Sequence, residues 1–160
     1  MYLSIWRAEP DRVRVAIAGG LQDGSVGVRV GERWWSMNPA QGTRTNADSP
    51  AQGWFGEGAE SFLLPDALLT SCALRIGGHD DRAGRPVVVA AAFPSGGQRP
   101  VPPVLGMNAD RYLVEVDLDC GLVLSVHAYL DDKPFQTIDV VELLIENVDS
   151  DLFDGDPPSD

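Results

Sequence analysis

The sequence predicts a mainly β (α+β) fold, a strongly curved antiparallel sheet with one short helix covering its concave face. Most apolar stretches alternate with period two, the pattern of strands that bury one face. Nearly all connections between these stretches are short, which favours antiparallel pairing. Only one segment has helical spacing, so most of the sheet must curl over itself or line a cavity.

The first strands are predicted on either side of a hairpin dipeptide. In residues 12–17, valine and isoleucine alternate with arginine. Residues 26–30 repeat the alternation after Asp23 and Gly24, a pair typical of two-residue hairpin turns. Residues 33–37 follow as a third strand, which gives the N-terminal part of the sheet.

One helix is predicted in residues 61–72. Pro65 and Asp66 suit a helix N-terminus, because proline fits the first turn and a carboxylate is favoured at its positive end. Four residues then share one face at spacings of three and four: Leu64, Ala67, Leu68 and Cys72. This apolar side is expected to pack on the sheet.

The C-terminal half is predicted to be a β-meander. Residues 86–93 form an apolar run rich in valine, compatible with a strand buried on both faces. Three further strands are expected at residues 112–117, 122–130 and 135–145, joined by short turns. Asp and Gly residues mark these turns.

Length and composition fit one domain. A chain of 160 residues with 44% apolar content can bury a core without metals or disulfides. Residues 38–58 and 94–108 are predicted loops rather than domain linkers, because strands resume after each. We expect a single curved-sheet domain over residues 1–148. Residues 149–160 are acidic and proline-containing, so a flexible tail is predicted there.

The net charge of −12 lies in the C-terminal part of the chain. From Glu115 onward there are 13 of the 24 acidic residues and one base, Lys133, whereas residues 1–114 carry 11 of each sign. Nucleic acids and anionic lipids both require a positive surface, so we expect neither as the main partner. Glu115 and Asp117 are predicted to mark the solvent side of the closing strands.

The chain has no apolar run long enough to cross a bilayer and no visible secretory signal. We therefore expect a cytoplasmic location for the sequence as written, and a periplasmic or extracytoplasmic one if it is a truncated or mature form. Cys72 and Cys120 do not form a C-x-x-C pair or a disulfide framework, so both are expected to be reduced.

Candidates for chemistry are few. His127 and Tyr129 would share one strand face with Ser125, where a histidine base with a tyrosine partner is chemically feasible. A solvated strand face is the plainer interpretation. Residues 79–81, His-Asp-Asp, offer metal-ligand atoms, but neighbours in sequence rarely converge on one ion, so a turn is predicted there and at the glycine pair 77–78. No metal or other cofactor is expected.

Adjacent tryptophans indicate a second apolar surface. Trp34 and Trp35 are consecutive in a predicted strand, so one points to each face. A second apolar surface on a curved sheet can form one wall of a ligand cavity. The alternative explanation is that the protein has two small hydrophobic cores. The candidate lining residues are Trp34, Phe62, Leu64, Leu68 and Phe93.

Short motifs occur in a characteristic order along almost the whole chain. They are Trp-Arg-x-x-Pro-Asp-Arg-Val-Arg-Val at residues 6–15, Gly-x-x-Trp-Trp at 31–35, a leucine-rich helix with an internal proline at 62–69, Ala-Gly-Arg-Pro at 83–86, the meander strands at 112–117, 122–124 and 132–140, and Asp-Leu-Phe-Asp at 151–154. This order resembles the bacterial lipoprotein-localisation superfamily of LolA/LolB-like and RseB-like half-barrels.

The resemblance implies a half β-barrel whose helices close an apolar cavity. Several superfamily members bind acyl chains or lipoproteins there, and RseB-like members sense envelope stress. The sequence departs from the superfamily in lacking a lipobox and the helix that usually precedes the first strand. We expect non-enzymatic binding of a lipid, an acyl chain or lipoprotein-like cargo.

Two alternatives remain open at this stage. One is a small enzyme that acts on an apolar substrate held in the cavity, with His127 or Tyr129 as its acid–base group. The other is a protein-interaction or stress-sensing domain, whose acidic edge would dock a basic partner.

Overall fold

All strands in the described part of the chain belong to two antiparallel five-stranded sheets, so the predicted mainly β fold is confirmed. The computed structural model describes residues 1–8, 11–46, 66–95 and 108–154. The strands divide into two sheets, where the sequence predicted one. The strong curvature and the covering of a concave face by the helix stay predictions.

The chain forms two compact units, one of Met1–Glu57 with Ile145–Asp160 and one of Gly58–Leu144. Each unit contains one of the two sheets. The expected organisation, a single domain over residues 1–148 followed by a flexible tail at 149–160, stays a prediction. Residues 155–160 of that tail lie outside the described residues.

The first sheet is built from consecutive strands. They are β1 (Tyr2–Ala8), β2 (Arg12–Ala18), β3 (Val26–Val30), β4 (Arg33–Asn38) and β5 (Gly42–Thr45). Each strand pairs with the next in sequence, antiparallel. In β2 the predicted alternation is confirmed, because Val13, Val15 and Ile17 are buried and the residues between them are half-buried.

Strand β5 corrects the predicted loop over residues 38–58. The strand has no large apolar residue, so alternation cannot reveal it, and it forms because its backbone pairs with four consecutive residues of β4. Asn46 then secures its end: its Nδ2 donates to the Glu32 carbonyl at 2.9 Å, and its Oδ1 accepts from the Trp34 N–H at 3.4 Å.

A 3₁₀ turn at Ser150–Leu152 lies against the first sheet. Arg14 of β2 donates to the carbonyl of Leu152 at 3.1 Å, and its guanidinium carbon is 5.8 Å from the centre of the Trp6 ring. Phe153, directly after the turn, is buried. The hydrogen bond therefore joins the turn to this sheet, and the cation–π contact links Arg14 of β2 to Trp6 of β1.

Within the described residues, the second unit contains one helix and five strands. They are α1 (Asp66–Ser71), β6 (Cys72–Arg82), β7 (Arg85–Pro94), β8 (Arg111–Asp117), β9 (Val123–Leu130) and β10 (Lys133–Asp139). The sheet order is β10-β9-β8-β7-β6, and every neighbouring pair is antiparallel. Helix α1 confirms part of the predicted helix, but Cys72 begins β6 instead of ending the helix, and residues 61–65 lie outside the described residues.

Strand β6 corrects two predicted turns. The glycine pair at 77–78 and the His-Asp-Asp stretch at 79–81 both lie within the strand, paired to β7 across a bulge at the glycines. Glycine and charged residues resemble turn signals, but strands at a sheet edge tolerate both. The turn lies at Ala83 and Gly84, whose φ angles of 52° and 73° fit a two-residue hairpin turn.

Strand β10 ends at Asp139, before the predicted limit at residue 145. The N–H of Val140 still donates to the Leu124 carbonyl at 2.8 Å, but the residues after it do not extend the ladder. Their apolar residues occur in adjacent positions rather than alternately, so they cannot all turn to one face. Leu144 and Ile145 are 68% and 65% exposed.

Candidate functional site

One face of the second sheet carries two rows of directly opposed apolar residues. One row crosses all five strands, with Ile76, Ala90, Val114, Val126 and Ile138. The other crosses four strands, with Leu74, Ala92, Tyr112 and Ala128. Directly opposed residues of paired strands share a face, so we call these nine residues the apolar face.

The apolar face is buried at its centre and exposed at β6. Tyr112 and Val126 are each 1% exposed and lie in one packed cluster with Leu68 of α1. In contrast, Leu74 and Ile76 are 44% and 72% exposed. The face therefore continues from the core of this unit onto a strand that solvent reaches.

The titratable groups at this face favour their uncharged forms. Burial raises the pKa of the Tyr112 phenol, and the neighbouring Cys72 raises this pKa further. Burial also raises the pKa of the Cys72 thiol. Both side chains are thus neutral at physiological pH. A face without ionised groups suits the apolar part of a ligand better than a charged head group.

The described members of the predicted lining are Leu68, Phe93 and Trp34, and they belong to different elements. Leu68 lies in the buried cluster that includes Tyr112 and Val126 of the apolar face. Phe93 follows Ala92 in β7 and so points to the opposite face, where it is 40% exposed. Trp34 is half-buried in β4 of the first unit, whereas Phe62 and Leu64 lie outside the described residues. Their role in ligand binding stays a prediction.

The two tryptophans of β4 do point to opposite faces of the first sheet. Trp34 is directly opposite Arg29, which is itself opposite the buried Val13. Trp35 is directly opposite Val28, which pairs with Arg14 on the other face. The alternation expected from the sequence is therefore confirmed at this pair.

The opposite face of the second sheet carries a polar cluster of Arg82, Glu115, Ser125 and Asp139. Glu115, Ser125 and Asp139 are directly opposed on β8, β9 and β10. The Ser125 hydroxyl donates to Asp139 Oδ1 at 2.7 Å. Arg82 donates two N–H groups to Glu115, and its Nη1 lies 3.7 Å from Asp139 Oδ1. The arrangement joins four strands through charged hydrogen bonds.

His127 and Tyr129 lie beside the polar cluster in different contacts. The Nε2 of His127 is 3.5 Å from Asp139 Oδ1, and the Tyr129 ring lies under the Arg111 guanidinium at 4.6 Å. Ser125 is 1% exposed, so this is not the fully solvated face that the sequence indicates. Because Ser125 donates to Asp139 instead of His127, the cluster lacks the hydroxyl–imidazole contact of nucleophilic catalysis.

Asp117 corrects the prediction that it marks the solvent side. It is 1% exposed, and its carboxylate accepts hydrogen bonds from Arg85 and from the backbone N–H groups of Asp119 and Cys120 at 2.8 and 2.9 Å. The Arg85 guanidinium, helped by these N–H groups, holds the pKa of Asp117 well below its usual range. The available sequence signal was an aspartate directly before a turn, where carboxylates accept backbone donors.

The described residues contain no group of three His, Cys, Asp or Glu side chains arranged to hold a metal ion. Both cysteines are free; Cys72 is buried and Cys120 is exposed. Within the same described ranges, no helix combines the length and apolar character needed to cross a membrane.

The first unit has a small cleft. Its volume of about 110 Å³ is below the roughly 300 Å³ at which pockets for drug-sized ligands begin. The lining residues are Gln22, Ser25, Ser36, Met37, Asn38, Gln41, Gly42 and Arg44. Its small volume makes this cleft a poorer site for an acyl chain than the apolar face.

Solved structures provide the comparison for this chain, since no protein-family model and no curated protein matches it. A crystal structure of MucB is 19% identical with a TM-score of 0.59, over 96% of this chain and 51% of MucB. The structure of MucB in complex with MucA(peri) is 22% identical with the same TM-score, over 96% of this chain and 48% of the matched chain. The Pseudomonas aeruginosa MucA/MucB complex is 20% identical with a TM-score of 0.59, over 96% of this chain and 50% of the matched chain.

The chain therefore shares its fold with these MucB structures, and this likeness of fold agrees with the resemblance that the sequence motifs predict. The chain spans about half the length of the MucB chains that it matches. At these identities the shared property is the arrangement of strands, so a ligand has to be argued from the side chains of this chain.

Proposed function

We propose that this chain, which has the RseB-like fold, is a non-enzymatic module that binds a hydrophobic ligand on the apolar face of its second sheet. The ligand class is an acyl chain, carried by a lipid or by lipoprotein-like cargo. One observation carries the proposal: the apolar rows that form the core continue to Leu74 and Ile76 on β6, where both side chains are exposed.

The exposure of these side chains favours a ligand on energetic grounds. Complete burial of one leucine or isoleucine side chain contributes about 1.5–3 kcal/mol. Leu74 and Ile76 gain only part of this burial free energy in the free protein, because they are 44% and 72% exposed. An apolar ligand that covers both would recover the remaining part, and the neutral Tyr112 and Cys72 add no charge that opposes it.

The predicted helix contribution extends this proposal. Leu68 of α1 already packs in the cluster that includes Tyr112 and Val126. We infer that the half-barrel arrangement expected from the superfamily would place Phe62 and Leu64, which precede α1, near the same ligand. Substitution of these two residues would then weaken ligand binding.

The comparison structures support binding as the general role. The MucB structures include complexes with MucA, one of them with MucA(peri). We therefore propose an extracytoplasmic location and extend the partner class to proteins that present an apolar segment.

The proposal is tested with a fluorescently labelled hexadecanoic acid, titrated into the purified chain. We expect saturable binding that weakens at least tenfold in the double variant Leu74→Ser and Ile76→Ser, since about 1.4 kcal/mol is lost. The matched control is Leu21→Ser, which removes a fully exposed leucine from a turn of the first unit and should leave binding unchanged.

Two results would contradict the proposal. One is the absence of saturable probe binding together with no co-purifying apolar mass in native mass spectrometry. The other is equal weakening by the double variant and by the Leu21→Ser control, which would mean that the probe adsorbs to any exposed apolar residue.

A further inference from the structure

The hydrogen bonds at the start of the β6–β7 hairpin fix which way each β6 residue directs its backbone. The Ser95 N–H donates to the Ser71 carbonyl at 3.1 Å, so these opposed residues form a hydrogen-bonded pair. The next pair is Cys72 with Pro94, which has no N–H and suits a non-bonded position. Bonded and non-bonded pairs alternate along an antiparallel ladder.

This alternation places Leu74 and Ile76 at non-bonded positions towards β7. Their directly opposed partners are Ala92 and Ala90. In an antiparallel strand, the N–H and C=O of a non-bonded residue both point to the other side. The backbone groups of Leu74 and Ile76 therefore face outward, at the same residues whose side chains are exposed on the apolar face.

That outward side is the edge of the sheet within the described part of the chain. Strand β6 is the last strand in the order, and no hydrogen bond from another described residue reaches the Leu74 or Ile76 backbone there. Unpaired backbone groups on an apolar edge strand are a template for a further strand.

Arg75 lies between these two residues and points to the other face. It is exposed, and it has no ion-pair partner among the described residues. A strand that covers this edge would be attracted by Arg75 if it carried a carboxylate directly opposite. Local charge therefore favours an acidic residue at the central position of the incoming strand.

The rest of β6 is protected against the same pairing. A bulge at the glycine pair 77–78 interrupts the ladder, and the residues that follow at 79–81 are His, Asp and Asp. Bulges and charged residues are the features by which proteins prevent edge pairing. The open segment is therefore confined to residues 73–76.

We propose that residues 73–76 accept an extended segment of a partner polypeptide as an antiparallel sixth strand of this sheet. The segment has the pattern apolar–acidic–apolar: its apolar residues lie opposite Leu74 and Ile76, and its carboxylate lies opposite Arg75. The inference rests on the proposed function, because it uses the same exposed side chains and names a polypeptide as the cargo that reaches them.

A polypeptide fits this edge better than an acyl chain alone. An acyl chain covers the Leu74 and Ile76 side chains but leaves their outward N–H and C=O groups without a partner. An added strand satisfies both, since main-chain hydrogen bonds supply affinity and alternate side chains supply specificity. All existing pairs in the sheet are antiparallel, which favours the same direction for the new one.

The test uses a fluorescein-labelled peptide, Ser-Thr-Val-Glu-Val-Thr-Ser, and measures its fluorescence anisotropy. In the proposed pairing, the N–H groups of both valines point to β6 and the N–H of the glutamate points away. N-methylation of the two valines should weaken binding at least tenfold. N-methylation of the glutamate is the matched control and should change binding less than threefold.

Charge exchange tests the central position. Arg75→Glu should weaken binding of this peptide about tenfold and strengthen binding of the same peptide with lysine in place of glutamate. The matched variant Arg33→Glu changes another exposed arginine, in the first unit, and should leave both peptides unaffected. All of these residues are on the surface, so the folded protein can be compared directly.

The possible failures are distinguishable. If the valine-methylated peptide binds as well as the unmodified one, or if Arg75→Glu does not change the preference, strand addition is wrong. The apolar-face proposal still stands in that case, provided that the labelled fatty acid binds and responds to the Leu74 and Ile76 double variant. If the peptide behaves as expected but the fatty acid does not bind, the acyl-chain function fails and the strand addition stands.

Discussion

At the scale of single residues, the buried carboxylate of Asp117 has the clearest energetic consequence. Its pKa is lowered by the Arg85 hydrogen bonds first and by two backbone N–H groups, against the opposing effect of burial. A carboxyl whose folded-state pKa lies below its unfolded value stabilises the fold above the unfolded pKa. That stability is lost as the pH falls through the folded pKa.

Substitution of this carboxylate should show the same dependence on pH. We expect Asp117→Asn to lower the free energy of unfolding by about 1–3 kcal/mol at pH 7, because Arg85 loses its charged acceptor. The difference from the wild type should shrink as the pH falls below about 4, where the unfolded carboxyl becomes protonated. Urea unfolding at pH 7, 5 and 3 measures both effects.

The control for this prediction is Asp81→Asn, which neutralises an exposed carboxylate on β6. It should change the free energy of unfolding by less than about 0.5 kcal/mol at every pH. A constant difference between wild type and Asp117→Asn from pH 7 to pH 3 would show that the Arg85–Asp117 pair is not the cause of the acid sensitivity.

At the scale of elements, the hairpin turn between β6 and β7 contains an unfavourable residue. Ala83 has a φ of 52°, a left-handed conformation that alanine disfavours and asparagine tolerates. Ala83→Asn followed by Gly84 gives the Asn-Gly dipeptide preferred in this turn. We expect the free energy of unfolding to rise by about 0.5–1 kcal/mol, measured by urea unfolding.

Substitution at the neighbouring position, Gly84, should have the opposite effect on stability. Gly84 has a φ of 73°, and a Cβ added there would meet no atom within 4 Å, so only the backbone conformation opposes a side chain. Gly84→Ala should therefore lower the free energy of unfolding by about 1 kcal/mol. If both variants change stability in the same direction, the assigned turn conformation is incorrect.

The elements that the sequence predicted well are those with a single buried face. In β2, Val13 and Val15 are buried and their neighbours Arg12, Arg14 and Ala16 are half-buried, which is the alternation that the sequence displays. In contrast, β5 and the second half of β6 contain threonine, glycine and charged residues, and backbone pairing alone makes them strands. Such pairing depends on partners distant in sequence, so local patterns do not reveal it.

The same reason explains what was missed at the candidate site. The sequence predicted that Leu68 would face the sheet, and it lies in the buried cluster there. It did not indicate Leu74 or Ile76, because their importance depends on the position of β6 at the edge of the sheet. Phe93 lies on the opposite face of the sheet because of its place in β7, and its predicted role in ligand binding stays a prediction.

At the scale of the whole molecule, net charge and exposed apolar surface have opposite effects on self-association. The chain has a net charge of −12, which repels a second copy, whereas Leu74 and Ile76 expose an apolar edge that attracts one. Salt reduces the repulsion, since the screening length falls from about 10 Å at 0.1 M to about 3 Å at 1 M. The exposed edge should therefore associate more readily at high salt.

Sedimentation velocity tests this balance. We expect the ligand-free chain to show a larger weight-average sedimentation coefficient in 1 M than in 0.1 M sodium chloride. The Leu74→Ser and Ile76→Ser double variant should show little change. An equal increase in both proteins would place the contact elsewhere on the surface.

The ion pairs of Arg82 and Arg85 make the two ends of the β6–β7 hairpin unequal. Both arginines lie at the turn end, where they bind Glu115 and Asp117 of β8, while the Cys72–Pro94 end has no such ion pair among the described residues. Fraying should therefore start at Cys72 and stop near the bulge. Amide hydrogen exchange should be faster for residues 72–76 than for residues 79–82. The segment that is open to a partner is then also the part of the hairpin that opens most easily.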